Sequence, residues 1–145
     1  MIVTKAAFFL ASPEHRPLLL PVISFPGAKA TLPDTRWDLL ALNHVGCRTL
    51  LANRIACSCK TLLLPGNAAA AITQLVQANQ VVSTGLSPLC TITFSSLMDS
   101  QALICVQRTL IRPDGTELEP QELLMPLPSL PQEEQLLLLG MQLLL

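Results

Sequence analysis

Along Thr91-Ile92-Thr93-Phe94-Ser95-Ser96 the apolar side chains Ile92 and Phe94 alternate with hydroxyls, the period-two signature of a strand with one face in a core. Downstream, two apolar arms at 102–111 and 117–125 flank Arg112-Pro113-Asp114-Gly115. Proline presets the second turn position and glycine accepts positive φ, so this stretch predicts a β-hairpin. Pro120, in the second arm, cannot donate to a ladder and predicts a bulge or a sheet edge.

Upstream, residues 56–64 read as a buried strand closed by Pro65-Gly66-Asn67. Asn67 is suited to cap a helix over 68–78 with Ile72, Leu75 and Val76 inward, and Val81-Val82 marks the next strand. A strand, a helix and a strand with short links is the crossover that builds a parallel sheet. Before it, Trp37, Leu40, Ala41, His44, Cys47, Leu51 and Ile55 recur at three- and four-residue steps. That stripe predicts one helix over 36–54, capped by Thr35 with Asp38 answering three residues on and weakened by Gly46.

Near the N-terminus, the apolar runs 6–10 and 18–25 are separated by a hydrophilic turn, which predicts a hairpin or two neighbouring strands. Pro21 places the second of them at an edge or at a bulge. The C-terminus begins with a serine cap at Ser129, Pro131 and two acids where a helix dipole favours them, then runs through leucine and methionine almost without break. A helix apolar on nearly every side is buried in a core, packed on a partner, or frayed and sticky. Together these elements predict one α/β domain over 1–145, a small Rossmann-like βαβ sheet extended by antiparallel strands, with a C-terminal helix. Its parts are N-terminal strands in 1–30, the βαβ part in 35–84, antiparallel strands in 91–127 and the helix in 129–145.

Composition narrows the function classes. Half of the 145 residues are hydrophobic and 13% are charged, with mean hydropathy +0.50, so the chain is rich in core-forming residues and poor in solubilising charge. Nine basic against ten acidic residues leave a net charge of -1, without the electrostatic footprint of a nucleic-acid binder. With no Tyr, four Phe and one Trp, stacking platforms for bases are scarce. No window approaches the roughly 18 to 20 apolar residues of a membrane span. The apolar stretch 6–11 is shorter than the ~7 to 15 residues of a signal-peptide core, so a cytoplasmic protein is expected. Five cysteines, an odd number set in apolar segments, fit reduced thiols.

Three constellations carry candidate chemistry. His44 and Cys47 share a helix face at a spacing of three, and Cys57 and Cys59 share a strand face, so four soft ligands can converge on a tetrahedral zinc. The alternative is packing: Cys-x-Cys lacks the chelating knuckle of Cys-x-x-Cys, and both segments are apolar enough for the thiols to be core filler. The turns after the two central strands offer Gly66, Asn67, Gly85 and Ser87 where open α/β sheets bind ligands, although neither G-x-G-x-x-G nor the phosphate-binding loop G-x-x-x-x-G-K-[ST] occurs. Arg108, unexpected in an apolar strand, is either an anion ligand or the partner of a carboxylate such as Glu119 or Glu122.

The order LLLPGN at 62–67, an alanine-rich segment, VVSTGLSP at 81–88, then CTITFSS and a hairpin resembles the latter part of the central domain of Mur ligases, over about residues 56–125. Leu64-Pro65-Gly66-Asn67 stands where that family has Asn-Ala-Asp-Asp, and the ATP-binding glycine-lysine loop has no counterpart. The resemblance therefore implies a Rossmann-like half and not ATP-driven ligation. No set of residues amounts to a reaction. The expected function is a non-catalytic domain that binds a protein partner or itself through a sheet edge or the C-terminal helix. The alternatives are a small-molecule or nucleotide site at Gly66, Asn67, Gly85, Ser87 and Arg108, and a zinc site at His44, Cys47, Cys57 and Cys59.

Overall fold

The computed structural model describes residues 6–8, 22–24, 32–130 and 132–145. Its main sheet has eight strands in the order β10-β7-β6-β5-β4-β3-β1-β2. These are β1 (Ala6–Phe8), β2 (Val22–Ser24), β3 (Arg36–Ala41), β4 (Cys57–Pro65), β5 (Val76–Thr84), β6 (Ile92–Leu97), β7 (Gln101–Val106) and β10 (Gln121–Pro126). The strands from β2 through β6 are parallel to their neighbours, and β6, β7 and β10 are antiparallel to theirs. β1 and β2 are thus neighbouring parallel strands rather than a hairpin, with β2 at an edge. The parallel order 2-1-3-4-5 reverses direction at β1 and β3, as in doubly wound sheets. The fold is α/β, with antiparallel strands extending the parallel sheet beyond β6.

The long helix expected over 36–54 is instead a strand followed by a shorter helix, α1 (His44–Asn53). Trp37 and Leu40 pack with the α1 side of the sheet while Leu39 and Ala41 pack with the opposite side, so the strand is covered on both faces. A doubly buried strand is apolar without a break and mimics helical spacing. The cap is Asn43, not Thr35: its side chain accepts a hydrogen bond from the Gly46 N-H at 2.8 Å. The buried indole of Trp37 donates to the Leu32 carbonyl at 3.2 Å.

The second predicted helix is also shorter. After a single 3-10 turn at Gly66–Ala68, α2 covers Ala69–Ile72 only, and Asn67 makes no side-chain cap. β5 has already begun at Val76, because its nine residues pair with all of β4, from Cys57↔Val76 to Pro65↔Thr84. Ladder pairing over that length outweighs the alanine-rich helix preference.

The predicted hairpin forms around Gly115, whose N-H returns to the Arg112 carbonyl at 2.9 Å. It carries a small sheet of β8 (Leu110–Ile111) and β9 (Glu117–Leu118). Pro120 separates β9 from β10, which is the far edge of the main sheet. The C-terminal helix α3 (Gln132–Leu144) lies in the core. Its leucines join Leu63, Val82 and Ile92 of the main sheet and Leu110 and Leu118 of the small one, so nearly every side of the helix is covered. Arg112 reaches from the hairpin to the Leu143 carbonyl at 2.8 Å, placing a cation at the helix C-terminus where the dipole favours it. Among the described residues, no helix is long and apolar enough to cross a membrane.

Candidate functional site

Beyond the carboxyl ends of β3, β4 and β5 lies a cleft of about 710 Å³, within the usual size range of small-molecule sites. β3 leads into it through His44, β4 through Pro65, Gly66 and Asn67, and β5 through Ser83, Thr84, Gly85 and Ser87. Arg108, and Gln132 and Leu136 from one face of α3, complete the lining named here. Gly66, Asn67, Gly85, Ser87 and Arg108, singled out from separate turns of the sequence, therefore line the same cavity.

The loop between β5 and β6 is built rather than loose. β6 joins β5 through one parallel pair, Thr84↔Ile92, and begins where β5 ends. Across the loop's base the Ser83 and Thr91 hydroxyls lie 3.4 Å apart, and the Thr91 N-H donates to Ser83 Oγ at 3.1 Å. Ser87 Oγ accepts from the Leu89 N-H at 3.2 Å, and the Ser87 carbonyl accepts from the Cys90 N-H at 3.0 Å. Gln107 closes the loop from outside: its side-chain amide donates to the Pro88 carbonyl at 3.0 Å and the Cys90 carbonyl at 2.6 Å.

The strand predicted over 102–111 is broken after Val106 because Gln107 and Arg108 serve this loop. Arg108 is exposed and approaches the Leu89 carbonyl at 3.5 Å. Glu122, named beforehand as its possible partner, instead accepts from Ser95 Oγ at 3.0 Å.

Cys90 sets the shape of the floor. A Cβ built on Gly66 would lie 3.0 Å from its Sγ, and one built on Gly85 would lie 3.1 Å from it. The thiol thus occupies the space beside both turns, and Gly85 additionally has φ +153°.

The proposed zinc ligands do not gather. Among the described residues, no three His, Cys, Asp or Glu side chains are grouped to hold a metal ion. His44 stands on the cleft wall, whereas Cys47, Cys57 and Cys59 are buried with Leu50, Leu62 and Ile72 in the apolar cluster on the α1 side. Burial pushes the thiols of Cys47 and Cys57 up to about 11. Burial, with the neighbouring Cys57, pushes Cys59 up to about 12. Their place among these aliphatic side chains is that of core-packing residues.

The raised values predict a pH dependence. Unfolded thiols ionise near the ordinary 9.0, so between there and the folded values the native chain binds more protons than the unfolded one. Stability is whole below about pH 9 and declines as the pH rises through the window to about 11 or 12. With no Tyr in the chain, no phenol ionises in that window. Urea midpoints measured from pH 8 to 11 should fall, and a Cys57→Ala, Cys59→Ala chain should lose less; a flat profile would contradict the burial.

Three features of the site were not legible beforehand. Cys90 read as one more core thiol, and Gln132 and Leu136 reach the cleft only through the packing of α3. The signal for Gln107 was present, a polar side chain interrupting an apolar run. Comparison with known proteins finds no matching family model, no matching curated protein and no matching solved structure.

Proposed function

We propose that this chain is a small-molecule-binding α/β domain whose ligand lies in the cleft beyond β3, β4 and β5. The observation that carries this reading is convergence: the turns after two parallel strands, Arg108 and α3 all contribute to one cavity. The cleft lies outside the carboxyl ends of the strands, the end of open α/β sheets at which ligands are held. The neutral donors and acceptors of Asn67, Ser83, Thr84 and Ser87 supply orienting hydrogen bonds, and the aliphatic wall supplies contact area. The helix that motivated a partner-binding role has its apolar sides covered within the chain, which favours the cleft over the helix as the working surface.

Thermal shift of the full chain against a panel of metabolites, nucleotides and organic acids tests the reading. A ligand present at about 100 times its Kd stabilises by about 2.7 kcal/mol. Asn67 is exposed on the cleft wall, so Asn67→Trp fills the site without disturbing the core. The expected result is a stabilising compound whose effect disappears in Asn67→Trp. A panel without effect at millimolar concentration, or a shift equal in both chains, would refute it.

A further inference from the structure

The strand order leaves β10 at one end of the sheet, the opposite end from β1 and β2. Which of its backbone groups point away from the sheet follows from the ladder. Just past the strand, the Leu127 N-H donates to the Ser100 carbonyl at 3.0 Å, continuing the register of Pro126↔Gln101. Hydrogen-bonded pairs recur at every second residue of an antiparallel ladder, so Gln121, Leu123 and Met125 bond inward to β7. The N-H and C=O groups of Glu122 and Leu124 therefore point outward. Pro126 falls in the same outward set, where its missing N-H costs the ladder nothing. Gln121, Glu122 and Pro126 are exposed and Leu124 is 56% exposed, so this edge faces solvent in the folded chain.

Exposed edges are ordinarily guarded by charge, above all by lysine. β10 contains no basic residue. Its one acid is turned away from the edge: Glu122 Oε1 accepts from Ser95 Oγ at 3.0 Å, and Ser95 belongs to β6, on the far side of β7. Met125 packs toward the core, whereas Leu124, one residue before it, stands on the other face of the strand. The edge thus offers main-chain donors and acceptors beside an apolar side chain, with the carboxylate withdrawn.

We propose that β10 pairs with β10 of a second copy, antiparallel about a two-fold axis, joining the two sheets into one. A strand edge turned by a two-fold axis presents its own donors to its own acceptors, so the segment is its own complement. The side chains select the register. With Leu124 on the axis, Leu124 meets Leu124, Leu123 meets Met125, and each Glu122 N-H donates to the Pro126 carbonyl of the other copy. An axis at Glu122 would set two carboxylates against each other. In the chosen register Pro120 and Pro128 come next, and since neither has an N-H the pairing stops there. A net charge of -1 produces little repulsion between copies. No residue of β10 lines the cleft, so pairing and ligand binding do not compete.

Sedimentation equilibrium and amide hydrogen exchange of the full chain test the pairing. The expected result is a monomer-dimer equilibrium with a Kd between about 1 μM and 1 mM, the range of a small interface. Protection of the Glu122 and Leu124 amides should rise with chain concentration. Leu124→Lys places two ammonium groups on the axis and should weaken the dimer at least about tenfold. Leu51→Lys, at an exposed leucine of α1, should leave it unchanged. Both leucines are exposed, so the circular dichroism of each variant should match that of the parent chain. A chain that stays monomeric at about 1 mM, or exchange at both amides that ignores concentration, overturns the proposal. So does a dimer undiminished by Leu124→Lys, or one weakened equally by Leu51→Lys.

Discussion

A chain ending at Ser129 should not fold. Such a truncation removes α3, and with it the buried side chains of Leu136, Leu137, Leu138, Leu139, Met141 and Leu144. Burying one such side chain is worth about 1.5–3 kcal/mol, so the loss is roughly 9–18 kcal/mol against a total stability of about 5–15 kcal/mol for a domain. The sheet face beneath, with Leu63, Val82 and Ile92, would also be opened to water. Gly140 shows how closely the two surfaces meet: a Cβ there would lie 3.2 Å from one methyl of Leu63 and 3.4 Å from Ile92 Cδ1. Far-UV circular dichroism and amide dispersion of the truncated chain should be those of an unfolded or aggregating polypeptide. A cooperative melt with dispersed amide signals would show that the helix is an appendage and not core.

The same helix illustrates what a sequence can convey. Its apolar character was legible, since the leucine run is a local fact, whereas its start was not, because α3 begins at Gln132 and not directly after the expected Ser129 cap. Whether those leucines met a partner or the chain's own sheet was not, because that depends on contacts between residues far apart. β4, β6 and the turn at Arg112–Gly115 were legible for a related reason: each has a period or a turn chemistry that only one local structure satisfies.

β3 failed that criterion. Leu39, Leu40 and Ala41 are buried in succession on both faces, and such a run cannot be assigned by period; the deciding residue was Asn43, whose side chain caps α1 and binds Glu134 across the fold. In the 68–78 segment local helix preference was real but lost to a nine-residue parallel ladder that no single segment reveals. The cleft divides in the same way. Its turn residues were visible as glycines and hydroxyls after strands, whereas the contribution of α3 and the clasp of Gln107 exist only in three dimensions.

Gly66 and Gly85 should respond differently to the same rescue. Gly66→Ala places a methyl 3.0 Å from Cys90 Sγ, with Ser83 Cβ at 3.7 Å and the Thr84 carbonyl at 3.8 Å, so the sulfur is the one severe obstacle. Cys90 is buried and held by its own N-H bond to Ser87 and by Gln107 on its carbonyl, which limits how far the thiol can retreat. Overpacking of this kind costs about 1–3 kcal/mol. Cys90→Ala removes the sulfur, so Gly66→Ala in that background should cost little, and the coupling between the two sites should be on the order of 1–3 kcal/mol. Gly85→Ala meets the same sulfur at 3.1 Å, but its φ of +153° is one that L side chains rarely adopt. That backbone strain, of about 1–3 kcal/mol, remains after the sulfur is gone. Urea denaturation of the single and double variants reads both couplings. The expected pattern is near-complete rescue at Gly66 and partial rescue at Gly85; no coupling at Gly66 would mean that Cys90 does not shape the floor of the cleft.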